Sequence, residues 1–322
     1  MKIYDMKVNH LVNPLGFRME RTIFSWKVRE AAGTRQKSAR VRVAADPQME
    51  SLLFDSGMDA AASSLGYLVR IDLKPRTRYY WTVTVLSDAE EEATGEVQWF
   101  ETGKRMEPWQ AQWITCDNTE KRHPYFEKRV ELKGAVKEAR LYICGLGLYE
   151  AYYAPDGRER QDGDGRISPV RIGKEYLTPY SNDYNEWVQY QTFDVTELLK
   201  EAGKLSVLLG NGWYKARFGF NARENVGFYG NEWKLIAELR TSYIDGTEEV
   251  FGKDDSWTVR RSNLTFSNLY DGEWRDDTLP ELPPEKAVFC EPPRGELTER
   301  MSLPVTIHEV FEPKELLHTP AG

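Results

Sequence analysis

The chain has 322 residues, of which 40% are apolar and 29% charged, with 43 basic and 51 acidic side chains giving a net charge of −8. That balance excludes a disordered chain. No apolar run reaches the roughly 20 residues needed to cross a bilayer, and no basic stripe offers itself to nucleic acid.

Taken from the N-terminus, the first fifteen residues mix Lys2, Asp5, Lys7, Asn9 and His10 with apolar side chains. They lack the continuous apolar core of a secretory signal, which predicts a cytoplasmic protein. Short strands follow, separated by turn signals. Phe24, Trp26 and Val28 alternate, and so do Val41, Val43 and Ala45. Leu53–Gly57 and Tyr67–Leu73 come next, then a Leu-x-Pro-x-Thr-x-Tyr run, Leu73–Tyr79, leading into Trp81, Val83 and Val85 at strict period two. A Tyr placed just after such a Pro turn can tie its hydroxyl back to the corner before it. Asp88–Glu92 form a charged turn, and Val97, Trp99 and Glu101–Gly103 close the unit. The seven strand signals and the corner resemble a fibronectin type III sandwich over residues 1–105.

A charged segment before Pro108 marks a boundary, and a second strand series runs over residues 106–280. Its strands are predicted at Tyr125–Leu132, Arg140–Cys144, Leu148–Tyr153, Leu205–Leu209 and Trp233–Thr241. Asp245-Gly246 is a hairpin signal. Trp257 and Val259 mark one more strand. One helix of about two turns is predicted over Asp194–Gly203, with Asp as cap and Gly at the exit. So many strands with one short helix point to a jelly-roll sandwich of the galactose-binding type. Pro283, Pro284, Pro292 and Pro293 predict an extended connector within residues 281–322, since Pro cannot donate to a ladder. Val305–Val310 then reads as the opening strand of a further domain.

Three cysteines, Cys116, Cys144 and Cys290, fit no zinc or redox spacing and read as small buried hydrophobes. The histidines His10, His123, His308 and His318 form neither a triad nor a metal set. No Gly-x-Ser-x-Gly elbow is present. Hydrolysis of a glycoside needs two carboxylates, and Asp183, Glu186, Asp271, Glu273, Asp276 and Asp277 are the candidates. Tyr270–Asp277 holds four of them beside Arg275 and Trp274, and reads as a turn or as a contact for sugar or ion. The run Leu209-Gly210-Asn211-Gly212-Trp213-Tyr214 ends an apolar strand in two glycines, which permit close approach. Trp213 and Tyr214 there, with Tyr229 and Trp233 further on, either stack on a pyranose or cap the sandwich end. Asn211 can donate to and accept from hydroxyls. The candidate sugar-contacting set is therefore Asn211, Trp213, Tyr214, Tyr229, Trp233, Glu273 and Trp274. The acidic loop 156–166 lacks the closing ligands of a calcium loop and reads as a solvated hairpin extension.

These landmarks fall in a particular order. Trp109–Ile114, Ala139–Tyr142, Gly145–Glu150, Leu177–Pro179, Tyr190–Thr196, Leu209–Tyr214 and Tyr270–Glu273 together resemble the N-terminal region of bacterial α-L-rhamnosidases, glycoside hydrolase family 78. Asn13–Gly16 and Phe24–Trp26 fit the first domain of that family. The resemblance implies a parent enzyme that removes terminal α-L-rhamnose by inversion. Its acid and base would lie on a helical barrel further along the chain, so no catalytic residue is carried over to these positions. Some members hold calcium through an Asp-Asn pair before the Leu-x-Pro segment. Here Lys174 stands in that place, and an ammonium cannot ligate a cation, so no metal or other cofactor is expected. The implied partners are rhamnose-containing glycosides and the downstream catalytic domain. A stand-alone lectin-like protein is the alternative, and a complete small enzyme would need the Asp271–Asp277 carboxylates as its pair.

Overall fold

The computed structural model describes residues 1–117, 121–156, 169–217, 227–315 and 317. Among them the fold is all-β, in two sandwiches. The first is built from β1 (Lys2–Val8), β2 (Leu15–Phe17), β3 (Thr22–Arg29), β4 (Gln36–Ala44), β5 (Leu52–Asp55), β6 (Tyr67–Val69), β7 (Arg78–Ser87), β8 (Glu92–Thr94) and β9 (Gln98–Thr102). One sheet runs β1-β3-β6 and the other β2-β9-β7-β4-β5, with β8 on β7. The period-two residues Phe24, Trp26, Val41, Val43, Trp81, Val83 and Val85 meet between the sheets, with Phe24 and Trp81 ring centroids 4.5 Å apart. Ala45 falls past the end of β4 and is exposed, and Ala39 takes the inward position on the other side of Val41. The tyrosine corner forms as its spacing predicts: the Lys74 backbone N–H donates to the Tyr79 hydroxyl at 2.7 Å.

The second sandwich opens with β10 (Ile114–Thr115), β11 (Pro124–Val130), β12 (Val136–Leu146), β13 (Tyr149–Pro155), β14 (Val170–Arg171), β15 (Trp187–Asp194), β16 (Gly203–Leu209) and the single helical turn α1 (Gly212–Lys215). It continues with β17 (Lys234–Tyr243), β18 (Glu248–Phe251), β19 (Thr258–Arg261), β20 (Leu264–Asn268), β21 (Gly272–Arg275), β22 (Glu285–Lys286), β23 (Val288–Phe289) and β24 (Glu296–Glu299). A seven-stranded sheet, β23-β10-β17-β12-β15-β24 with β18 on β17, faces a six-stranded sheet, β14-β13-β16-β11-β19-β22. Phe126, Leu141, Ile143, Val207, Leu209, Leu235 and Val259 form the core between them. A second apolar cluster covers the far face of the seven-stranded sheet and is rich in rings, with Tyr142, Tyr184, Tyr190 and Tyr214 buried in it.

Three segments depart from the sequence expectation. The helix over Asp194–Gly203 contracts to a 3-10 turn at Leu198–Lys200. Asp194 is still strand, paired with Arg140, and its carboxylate accepts from the Thr196 N–H and hydroxyl, so helical winding cannot start before that point. The proline-rich connector contributes β22, β23 and β24 to the sandwich sheets, using the non-proline residues between its breakers. Val305–Val310 is not a strand; Val305 alone bridges to Tyr176, and Ile307 and Val310 are exposed. No helix among the described residues is long and apolar enough to cross a membrane.

The two sandwiches meet on charge. Lys104 and Glu238, both with side chains 0% exposed, pair at 2.7 Å. The Lys104 N–H donates to the Tyr190 hydroxyl at 2.7 Å, and the Gln110 N–H donates to the other Glu238 oxygen at 2.7 Å. Beside them Glu101 of β9 accepts two bonds from Arg140 of β12, at 2.7 and 2.9 Å, and one from Arg78. Gly103 carries no side chain because a Cβ there would stand 2.7 Å from the Tyr190 hydroxyl. Removing one partner of a buried pair leaves an uncompensated charge and costs about 3–5 kcal/mol. Lys104→Met should therefore lower the free energy of urea unfolding by about 3 kcal/mol, the lower end because Arg240 still touches Glu238. Adding Glu238→Gln should restore at least half of that loss.

Candidate functional site

Strand β16 ends at Leu209, and Gly210-Asn211-Gly212 turns the chain into α1. The glycines here answer to backbone rather than to a ligand. Gly212 has φ +53°, and a Cβ on it would stand 2.5 Å from the Leu148 nitrogen; one on Gly147 would stand 1.7 Å from the Asn211 carbonyl oxygen. Two loop backbones are thus pressed together, and Asn211 is held at the seam.

The hairpin β20–β21 folds against this seam. Asn211 Nδ2 donates to Asn268 Oδ1 at 3.3 Å, and Asn268 Nδ2 donates to Asp271 Oδ2 at 3.2 Å. Arg217, just after α1, clasps Asp271 with both arms of its guanidinium, the Nε bond being 2.7 Å. A polar chain Asn211–Asn268–Asp271–Arg217 results, joining two segments 57 residues apart. Asn211 Oδ1 is buried there with no hydrogen-bond partner among the described residues. Tyr270 and Trp274, 61% and 67% exposed, rise from the same hairpin, and Trp274 leans on Phe266 at 4.9 Å. Glu273 is exposed between them, its carboxylate 3.4 Å from the Ser267 hydroxyl.

The other predicted rings divide. Trp213 and Tyr229 are half-buried at the margin of the outer cluster, and Tyr229 packs on Tyr184 at 5.2 Å. Tyr214 and Trp233 are core residues and are corrected here as sugar contacts. Tyr214 stands edge-on to Tyr184, and Trp233 lies in the sandwich interior between the His123 ring and the Lys215 ammonium, the latter 4.0 Å from its ring centre. Rings at 4% and 3% exposure have no face left for a ligand. Asn268 escaped the sequence reading. Its signal was the register of the hairpin, which sets it opposite Gly272 across the Tyr270-Asp271 turn.

The aspartates among the candidate carboxylates are committed to local partners, whereas Glu186 and Glu273 are exposed. Arg217 holds Asp271 below the ordinary carboxylate range, Arg275 and then Asn263 do the same for Asp277, and the Thr278 hydroxyl and N–H do so for Asp276. A carboxylate kept ionised in this way cannot serve as a general acid near neutral pH. Asp183 accepts from the Asn185 N–H within its own turn. In the segment 173–179, Lys174 is exposed and the carboxylate of Glu175 is filled by Arg300, through two bonds of 2.6 Å, and by the Tyr180 hydroxyl. These residues do not fit a calcium ion. No group of three or more His, Cys, Asp and Glu suited to a metal occurs among the described residues. The acidic loop lies at 157–166 outside the described residues but for Asp156, which pairs with Arg129. Clefts of about 460 Å³ along Arg21 and Arg70 and 310 Å³ between Phe17 and Arg300 lie away from the aromatic end, whose surface is open.

Two β-sandwiches of this order, an immunoglobulin-like one followed by a larger jelly-roll with aromatic side chains exposed at one end, are the architecture of the N-terminal part of a carbohydrate-active enzyme. Residues 134–309, more than half of the chain, match the α-L-rhamnosidase N-terminal domain, and residues 3–105 match the N-terminal immunoglobulin domain of the Rha78A-like type. The chain belongs to the α-L-rhamnosidase N-terminal domain family. An α-L-rhamnosidase of Formosa agariphila is 25% identical over 306 residues, covering 84% of this chain and 30% of its own length. One of Streptomyces avermitilis is 34% identical over 142 residues, 44% of this chain and 12% of the relative. Among solved structures, the α-L-rhamnosidase of Dictyoglumus thermophilum superposes with a TM-score of 0.78 at 26% identity, over 96% of this chain and 36% of that one. The Aspergillus terreus enzyme, at 21% identity and TM-score 0.75 over 92% of this chain and 35% of its own, shares the fold. The chain thus spans about a third of the length of the relatives it matches.

His123 supplies a test of this end of the sandwich. Burial holds its imidazole neutral, with a pKa pushed down to about 4, and Nδ1 lies 2.9 Å from the Leu209 carbonyl. Above pH 6.5 both folded and unfolded chains carry it neutral and it contributes nothing. As pH falls from 6.5 towards 4 only the unfolded chain gains the proton, so stability is lost, by about 3 kcal/mol at the lower limit. In denaturant titrations at stepped pH, His123→Gln should show a shallower loss between pH 6.5 and 4 than the parent.

Proposed function

We propose that this chain is the non-catalytic N-terminal portion of an α-L-rhamnosidase, with the first sandwich over residues 1–105 as a spacer and the second as scaffold and sugar contact. The observation that carries this is the superposition of both sandwiches on a rhamnosidase about three times as long, while Asp271, Asp276 and Asp277 are held ionised by their neighbours. The apolar side chains of Met301, Leu303, Val305, Ile307, Val310 and Phe311 stand exposed in succession. Such a run fits cover by a further domain of the same polypeptide. A solved Streptomyces avermitilis relative carries L-rhamnose, and a rhamnose-bearing glycoside is the ligand proposed for Asn211, Trp213, Tyr229, Glu273 and Trp274. Cys116 and Cys144, buried and free, with Cys290 half-buried and free, suit a cytoplasmic home.

A second reading, a sugar-binding protein acting on its own, draws on the Asn211–Asn268–Asp271–Arg217 chain with its flanking rings. Calorimetric titration with L-rhamnose, with and without calcium, tests the site. Saturable binding at millimolar or tighter affinity is expected, indifferent to calcium and lost in Trp213→Ala. Heat that appears only with calcium would overturn the metal-free site, and no heat at all would reduce the region to scaffold. Turnover of an aryl α-L-rhamnoside by this chain alone would overturn the non-catalytic assignment.

A further inference from the structure

The first sandwich carries a cleft of its own, where one of its strand pairs ends. Strand β3 pairs with β6 through Phe24–Tyr67, Ile23–Leu68 and Thr22–Val69, and the ladder stops there. The Thr22 hydroxyl donates to the Val69 carbonyl at 3.0 Å and ties that end of the pair. Residues 19–22 and 68–73 line a cleft of about 460 Å³ at this end. Arg105, in the segment that leaves for the second sandwich, completes the lining, with its Nη1 donating to the Met19 carbonyl at 3.2 Å. Thr22 and Val69 are buried, so the next residue on each strand points out. Carried one step further, the antiparallel register sets Arg21 opposite Arg70, and both are exposed.

Like charges set opposite each other across a strand pair destabilise it, and the described residues do not relieve this one. Elsewhere in the same sandwich Arg18, Arg29, Arg40, Arg76 and Arg78 each have a carboxylate. Among the described residues Arg21, Arg70 and Arg105 have none. Of the two acids along the cleft, Glu20 is taken by Arg18 at 2.7 Å, and Asp72 is exposed and in no ion pair. Three guanidinium groups thus converge on one concave surface with their forks open, and such forks match the oxygens of a carboxylate or a phosphate. Asp72 narrows what carries the anion. It repels a bare oxyanion but accepts from hydroxyls. The volume agrees, since it falls in the range of about 300–1,000 Å³ of pockets that hold small organic ligands. Met19 and Leu73, part of the core below, give the cleft an apolar floor.

We propose that this cleft binds an acidic sugar, with the carboxylate or phosphate held by Arg21, Arg70 and Arg105 and the hydroxyls bonded to Asp72. The proposal gives a ligand to the sandwich read above as a spacer, and it uses none of the residues of the Asn211 seam. It is tested by calorimetric titration of the whole chain with galacturonate, galactose 6-phosphate, galactose, acetate and inorganic phosphate in turn. Saturable binding of galacturonate or galactose 6-phosphate is expected, at least tenfold tighter than galactose, acetate or inorganic phosphate and weaker as salt rises. Which of the two acids binds tells a carboxylate ligand from a phosphate one. Arg70→Gln should weaken that binding at least tenfold, and Arg70→Lys less, because it keeps the charge and loses only the fork. The thermal midpoint of the free protein should not fall in Arg70→Gln, since one of two opposed like charges is gone. Trp213→Ala should leave the affinity for the acid within twofold, whatever it does to L-rhamnose at the seam. Failure of both acids to bind, galactose bound as tightly as either, or affinity unmoved in both Arg21→Gln and Arg70→Gln would overturn the proposal. Acetate or inorganic phosphate bound as tightly as the acids would reduce the cleft to an adventitious ion site and overturn it equally.

Discussion

The structure hangs on a lysine and a glutamate that never see water. Lys104 leaves the first sandwich and enters the second, where Glu238 receives it at full burial. An ion pair in that setting offsets its own desolvation only when further hydrogen bonds complete the geometry. They do: Gln110 and Arg240 serve Glu238, and the Trp109 and Tyr142 rings flank the ammonium. The consequence is directional. A hydrophobic contact between two sandwiches tolerates sliding, whereas a buried charge with a fixed set of partners admits one arrangement. The adjoining Glu101–Arg140 clasp enforces the same register a strand further on.

The fixed junction also decides which parts of the second sandwich reach solvent. Loops 106–113 and 176–186, together with the first sandwich, cover the outer face of the seven-stranded sheet, so its aromatic wealth goes into a second core. What reaches solvent is the margin of that core, Trp213 and Tyr229, and the hairpin bearing Tyr270 and Trp274. Polar groups at this end are tied in the chain Asn211–Asn268–Asp271–Arg217, and it is here that the proposed sugar contact lies.

Much of the architecture was legible in the sequence because it depends on short-range rules. Period two placed the strands of both sandwiches, Leu73–Tyr79 announced the tyrosine corner, and Asp245-Gly246 the hairpin between β17 and β18. The order of landmarks such as Trp109–Ile114 and Leu209–Tyr214 pointed to the family. What stayed hidden depends on partners distant in the chain. Asp194 looked like a helix cap because its strand partner Arg140 lies 54 positions earlier. Trp233 looked like a sugar platform because nothing local reveals that His123 and Lys215 enclose it. Asn268 was invisible for the same reason, since its role comes from Asn211. The glycines around Asn211 were recognised as sites of close approach, but only the fold shows that the approaching group is the 147–148 backbone.

Near its end the described chain returns to the junction. β24 runs parallel to β15, the Arg18 N–H donates to the Arg300 carbonyl, and the Arg300 guanidinium lies over the Phe17 ring while gripping Glu175. The segment therefore touches both sandwiches at once. In mechanical terms it is a sheared tether: a pull on the chain beyond residue 305 is borne by several ladder bonds and a bidentate ion pair loaded together. They must fail nearly in concert before the load can reach Lys104 and Glu238.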